Sequence, residues 1–217
     1  MTDAIFFDCD GVLVDSEPIS ARNTADLLAD HGIKMTWEQA NTLFTGKSMT
    51  DALRLLRDDF GVTLDAAHSA RHETRLLRRF ETELQPMPGI ADLLDQIRLP
   101  TCVTSNSTHR RLAATLSLTG LAPFFTGRVF SAEDVARGKP APDLFLFAAR
   151  RMGVAVDRCL VIDDSPLGIQ GAIAAGARAI GFTGGGHIAP GHADRLIAAG
   201  AEAVVDTLPA LAPRLAA

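Results

Sequence analysis

The sequence predicts an α/β protein: a parallel-sheet core interrupted, just after its first strand, by a helical insertion. Three observations carry this. Short apolar runs recur along the chain, and amphipathic helical patterns separate them, which is the rhythm of a parallel sheet with crossover helices. Between about residues 16 and 86 the rhythm stops and only helical patterns remain.

The elements follow in order. Residues 4–7 form an apolar run that ends in acids and Gly11, and they read as a buried strand. Ser16 is placed to N-cap a helix with Pro18 in its first turn and Gly32 as its stop. Thr36 and Gln39 have capping-box spacing. Further helices are expected from about Thr50 to Phe60, stopped by Gly61, and from about Asp65 through Leu76, Leu77, Phe80 and Leu84. The Gln-Pro-Met-Pro-Gly stretch at 85–89 reads as a linker. Strand-like runs resume at 101–104, 129–130, 159–162, 179–182 and 203–205. Between them, Ile90, Leu93, Leu94 and Ile97 share one helical face, as do Leu112 with Leu116, and Leu144 with Phe147 and Ala148. The expected division is a core of residues 1–15 and 87–217 and a helical unit of residues 16–86. The triple glycine 184–186 has no Gly-Lys-Ser/Thr after it and reads as a flexible loop.

Composition narrows the function. With 217 residues, 47% apolar, the chain can build a sizeable core. A net charge of −5 and the lack of a basic run argue against nucleic-acid binding. No apolar run reaches the roughly 20 residues of a membrane span. The N-terminus has no basic region and does not read as a signal peptide, so a cytoplasmic location is expected. Cys9, Cys102 and Cys159 lack metal-like spacing and read as buried free thiols.

Four constellations carry chemistry. Asp8 and Asp10 sit two residues apart at a strand end, where both carboxylates can face one pocket while Cys9 points away. Alone, they are equally an ordinary Asp-Gly turn. Ser105, Asn106 and Ser107 follow a strand and precede a helix, which suits a phosphoryl group or simple capping by Ser105 or Ser107. Lys139, before Pro140, offers an ammonium to offset phosphate charge, or is a solvated lysine. It is one of only three lysines against eighteen arginines. Asp163 and Asp164 end another strand and read as hard-oxygen ligands for Mg²⁺, with capping of the next helix by Asp164 or Ser165 as a second role. Their joint order along the chain (acid pair, hydroxyl, lysine, acid pair) is stronger than any one of them.

These residues, as DCDGVLVDS (8–16), VTSN (103–106), KPAPD (139–143) and VIDDS (161–165), resemble the motifs of the haloacid-dehalogenase-like hydrolase superfamily. The likeness is greatest to its β-phosphoglucomutase and phosphoglycolate phosphatase branch. Within that branch, GKSMTDAL (46–53) and KPAPDLFLFAARRMGV (139–154) look like 6-phosphogluconate phosphatase-like proteins. The resemblance implies a Rossmann-like doubly wound core with a small all-helical cap. It implies Asp8 as nucleophile and Mg²⁺ ligand. Asp10 would be the acid/base, with its carbonyl also on the metal. Ser105 and the Asn106 backbone would bind phosphate, Lys139 would neutralise charge, and Asp164, aided by Asp163, would hold Mg²⁺. Gly46 and Lys47 would meet the substrate when the cap closes, with Asp15 and Ser16 at the hinge.

An acid at position 10 favours oxygen leaving groups, which need a proton, and hence phosphate esters. The expected activity is a Mg²⁺-dependent phosphatase acting on a sugar phosphate or sugar-acid phosphate, including 6-phosphogluconate. A phosphomutase is the alternative, but Ser20 and Met49 stand where β-phosphoglucomutases carry a histidine and an arginine. A receiver-like signalling module is a third reading, weakened by the helical insertion. Arg71 and Arg75 lie one helical turn apart and are either a second anion site or a solvated face. No histidine is assigned a role. A monomer is expected, because the cap must move.

Overall fold

Every strand that the sequence predicts is present in the computed structural model, which describes residues 2–44 and 49–215. The strands are β1 (Ala4–Phe7), β2 (Thr101–Ser105), β3 (Val129–Ser131), β4 (Cys159–Asp163), β5 (Arg178–Phe182) and β6 (Ala203–Val205). They form one parallel sheet in the order β3-β2-β1-β4-β5-β6. The order reverses at β1, so the chain winds outward in both directions from a central strand. Ligands bind beyond the carboxyl ends of strands at such a reversal.

Alternation along β1 splits the core into two layers. Ile5 and Phe7 join a cluster with Leu112, Leu116, Ile90, Leu93 and Leu208. These come from α5 (Ile90–Gln96), α6 (His109–Leu118) and α10 (Leu208–Leu215). Ala4 and Phe6 face the other way, onto Leu144, Phe145, Ile169, Ala172 and Leu196. Those belong to α7 (Asp143–Met152), α8 (Pro166–Ala175) and α9 (His192–Ala198). All four residues of β1 are fully buried, which explains their unbroken apolar run.

Among the described residues, four helices lie between β1 and α5: α1 (Glu17–Asp30), α2 (Trp37–Phe44), α3 (Met49–Phe60) and α4 (Ala66–Glu83). The reciprocal Thr36–Gln39 bonds of the capping box form at 2.9 and 3.3 Å. Asp65 caps α4 through the His68 N–H at 2.7 Å. Leu28, Leu56 and Val62 make a small apolar centre of their own. Ile19, Leu76, Phe80 and Leu84 instead join the larger cluster on the sheet. The 85–89 stretch is not a free linker. It pairs with the outgoing chain through a Val14–Pro86 bridge, and the Met87 N–H donates to the Leu13 carbonyl at 2.9 Å.

Candidate active site

The carboxyl ends of β1, β2 and β4 gather the expected residues in one buried place. Asp8 and Asp10 follow β1, Ser105 closes β2, and Asp163 closes β4 with Asp164 next. All five are buried, as is Lys139 from the segment before α7. Cys9 points into the apolar core, as the alternation requires.

Lys139 ties the acid pairs together. Its Nζ lies 2.7 Å from Asp8 Oδ1 and 2.7 Å from Asp163 Oδ2. Asn106 holds the lysine backbone from both sides: Lys139 N–H donates to Asn106 Oδ1 at 2.8 Å, and Asn106 Nδ2 donates to the Lys139 carbonyl at 3.0 Å. The ammonium's pKa is pushed up: burial opposes its charge, but the Asp163 and Asp8 carboxylates outweigh burial. Asp8 moves up as well, mainly by burial and despite Lys139, with Asp163, Asp164 and Asp10 adding repulsion.

Asp10 has the opposite setting. Arg111 Nη2 donates to Oδ1 at 2.7 Å, Ser107 Oγ donates to Oδ2 at 2.6 Å, and the Ser16 hydroxyl donates to Oδ1. Burial pushes this carboxyl up, but Arg111 and the two hydroxyls outweigh it and hold it below the ordinary value. Two aspartates two residues apart are thus driven in opposite directions, the condition for dividing two chemical roles between them. Glu17, beside them at the start of α1, is raised to about 7 by burial and by Asp10.

Asp163 is satisfied by protein donors. Its Oδ1 accepts from the Ser165 N–H at 2.9 Å and hydroxyl at 2.8 Å, and its Oδ2 takes Lys139. Gly168 lets this carboxylate lie against the first turn of α8, where any Cβ would overlap it. Ser165, rather than either aspartate, caps α8, accepting from Gly168 N–H at 3.0 Å. Thr108, rather than Ser105 or Ser107, caps α6 through the Arg111 N–H at 3.1 Å. That leaves the Ser107 hydroxyl for Asp10.

The residues fit a divalent cation. Asp8, Asp163 and Asp164 each offer an oxygen, and the three lie within 4.8 Å of one another. Four buried aspartates face two permanent cations, Lys139 and Arg111, so the site is short of positive charge. Hard oxygens and a charge deficit are the setting for a small hard cation. Gly11 opens the space: it has φ +79, and any Cβ there would overlap the Asp164 carboxylate.

Residues 2–176 match the haloacid dehalogenase-like hydrolase family. The chain belongs to that family. Among curated proteins it is 35% identical over 191 residues to the 6-phosphogluconate phosphatase of Escherichia coli K12, covering 87% of this chain and 86% of the relative. It is 31% identical over 179 residues to a fructose-1-phosphate phosphatase of the same organism, with 81% and 94% covered. Among solved structures, a haloacid dehalogenase-like protein of unknown function from Agrobacterium tumefaciens is 40% identical, with a TM-score of 0.87 over the whole of both chains. A family hydrolase from Deinococcus radiodurans, with bound phosphate and sodium, is 33% identical with a TM-score of 0.81, covering 99% of this chain and 95% of the other.

Against these haloacid dehalogenase-like motifs, sequence reasoning missed two residues. Arg111 sits on a helix among other basic residues, in a His-Arg-Arg run that reads as a solvated face. In the fold it reaches Asp10, bonds Ser20 Oγ at 3.1 Å and lies over the Phe80 ring at 5.4 Å. His187 reaches Asp164, with Nε2 2.8 Å from Oδ2. The signal for it was the Gly-rich run before it. The triple glycine is not a slack loop: side chains at Gly185 and Gly186 would press on His187 and Asp15 at 2.8 and 2.9 Å. Ser16 is also corrected, since its hydroxyl serves Asp10 and not the N-terminus of α1. Arg75 is spent on Asn23 at 3.1 Å and Asp30 at 2.9 Å while Arg71 is exposed, so the two do not pair as an anion site. Gly46 and Lys47 lie outside the described residues. Cys9, Cys102 and Cys159 are buried free thiols. Among the described residues, no helix is long and apolar enough to cross a membrane.

Proposed function

We propose that the chain is a Mg²⁺-dependent phosphatase that hydrolyses a small phosphorylated sugar or sugar acid through an aspartyl-phosphate on Asp8. The supporting observation is the opposed setting of the two aspartates: among the described residues the Asp8 carboxylate is bonded by Lys139 alone, while Asp10 is bound by a guanidinium and two hydroxyls. Asp8 and Asp164, with Asp163 and the Asp10 carbonyl beside them, would hold Mg²⁺, which supplies charge neutralisation for the transferring group.

An Asp8 oxygen attacks phosphorus, and the ester oxygen leaves. Lys139 faces the charge that collects between Asp8 and the phosphoryl group, and Ser105 with the Asn106 backbone receives the phosphoryl oxygens. Asp10, once the substrate displaces Arg111, takes up a proton from solvent and gives it to the leaving oxygen. It then takes a proton from the water that frees phosphate from Asp8. In its Arg111-bound form Asp10 is ionised, so it is already set for the second of these steps.

Helices α1–α4 act as the cap in this reading, with residues 16–86 as the mobile unit. A cap excludes water in the first step and admits it in the second. The phosphatases among the relatives and the phosphate bound in the Deinococcus structure support the substrate class.

The test is phosphate release from an aryl phosphate ester, followed by a panel that includes 6-phosphogluconate and fructose 1-phosphate. Asp8→Asn should lower turnover by at least about 10³-fold with the fold intact. Full activity in that variant, or in excess chelator, would sink the mechanism.

A further inference from the structure

The loop after β5 touches three different parts of the molecule. At Gly186 its N–H donates to Asp15 Oδ1 at 2.9 Å, beside the crossing into the helical insertion. At His187 its carbonyl accepts from Asn41 Nδ2 of α2 at 2.8 Å. The His187 ring turns inward, 5% exposed, with Nε2 2.8 Å from Asp164 Oδ2. Nδ1 of the same ring is buried and has no partner among the described residues, so the imidazole's polar contact is spent on Asp164. Gly11 closes the other side, since a Cβ there would overlap Asp164 and lie 3.0 Å from His187 Cε1. His192 adds a bond from Nε2 to the Asp164 carbonyl at 2.5 Å.

Resting on the divalent-cation reading above, we infer that His187 is a positioning residue for Asp164. It holds one carboxylate oxygen, fixing the direction in which the other is offered to the cation. Groups that orient a metal ligand commonly set affinity by about 10- to 100-fold. His187 is itself held from the insertion through Asn41. The grip on the cation is therefore coupled to the placement of α2, although α2 contributes no ligand.

Calorimetric titration of Mn²⁺ into the metal-free full-length protein tests this without using catalysis. His187→Met keeps the bulk but loses the N–H donor, and should weaken Mn²⁺ binding about 10-fold. His187→Gln restores an N–H donor and should recover most of the affinity. Asn41→Leu should weaken binding by about 3-fold through loss of one hydrogen bond. Circular dichroism establishes that each variant is folded. Unchanged affinity in His187→Met, or equal loss in His187→Gln, would overturn the positioning role. Wild-type affinity in Asn41→Leu would overturn the coupling to α2. If the wild-type protein binds no Mn²⁺, the cation reading itself fails, a different result from either.

Discussion

The strand tips and the helical insertion use charge in opposite ways. At the tips, Lys139 donates to both Asp8 and Asp163 away from water. In the insertion the charges pair nearer the surface: Arg22 with Glu83 at 2.6 Å and Arg79 with Asp26 at 2.5 Å, all partly exposed. Buried ions cost several kcal/mol each to desolvate, and a protein retains them where their charge has work to do. Exposed pairs contribute between about 0 and 1 kcal/mol. The difference teaches where substitution will be felt.

Arg111 should show the largest effect, because it is the insertion-facing cation that belongs electrically to the tips. Its side chain is 19% exposed and that of Asp10 is 10%. Arg111→Met leaves Asp10 buried without its cation and should cost about 3 kcal/mol in urea unfolding. Asp10 then loses what holds its pKa down, so the basic limb of the pH–kcat/KM profile, set by the group that must carry a proton in the first step, should move to higher pH. An unmoved limb would mean that Arg111 only packs against Phe80.

Metal removal should sharpen the contrast. Asp8, Asp164 and Glu17 are all raised, principally by burial. A raised carboxyl binds its proton more tightly when folded. Its stabilisation is complete below its unfolded pKa and is lost as pH rises through its folded one, for Glu17 from about 4.5 up to about 7. The metal-free protein should therefore melt at a higher temperature at pH 5.5 than at pH 8. Added Mg²⁺ should raise the melting temperature most at pH 8, where the cation meets ionised ligands. Calorimetry at both pH values, with and without Mg²⁺, measures this. A metal-free protein that is more stable at pH 8 would contradict it.

Arg22→Ala should be the smallest change. Its pair with Glu83 is about 40% exposed on both sides. Unfolding should shift by no more than about 1 kcal/mol, with turnover unchanged. A larger loss would show that the insertion depends on its surface charges after all.

The same contrast explains what could be read before the fold was seen. Strand tips were legible because two constraints meet there: an apolar run fixes the strand, and the acids just after it have no local partner. Asp8, Asp10, Asp163 and Asp164 were singled out that way, and Lys139, in the segment before α7, by the scarcity of lysine in the chain. Arg111 and His187 were not, because their importance lies in partners 101 and 23 residues away in sequence. A basic residue on a helix and a histidine in a glycine loop look alike whether or not such a partner exists. The cap of α6 was off by one or three positions, at Thr108 rather than Ser107 or Ser105, for a related reason: several hydroxyls were available, and packing decided which of them turned inward.

The Val14–Pro86 bridge has a consequence for how this chain can change. The outgoing and returning segments cross into the insertion side by side, joined by the Met87 N–H to the Leu13 carbonyl and the Asp15 N–H to the Gln85 carbonyl. The ends of the excursion through residues 16–86 are thus closed by the core itself, and loop entropy grows only slowly with length. Helices between those points can lengthen, shorten or exchange surface residues without moving β1 or its two aspartates. What the helices do is registered by Asn41 on the 187 loop, Glu73 on Thr108 at 2.7 Å, Ser20 and Phe80 on Arg111, and the apolar residues of α1 and α4 that pack on the sheet. The fold thereby separates a part that can drift from a part that cannot, and leaves a short seam where selection can tune one to the other.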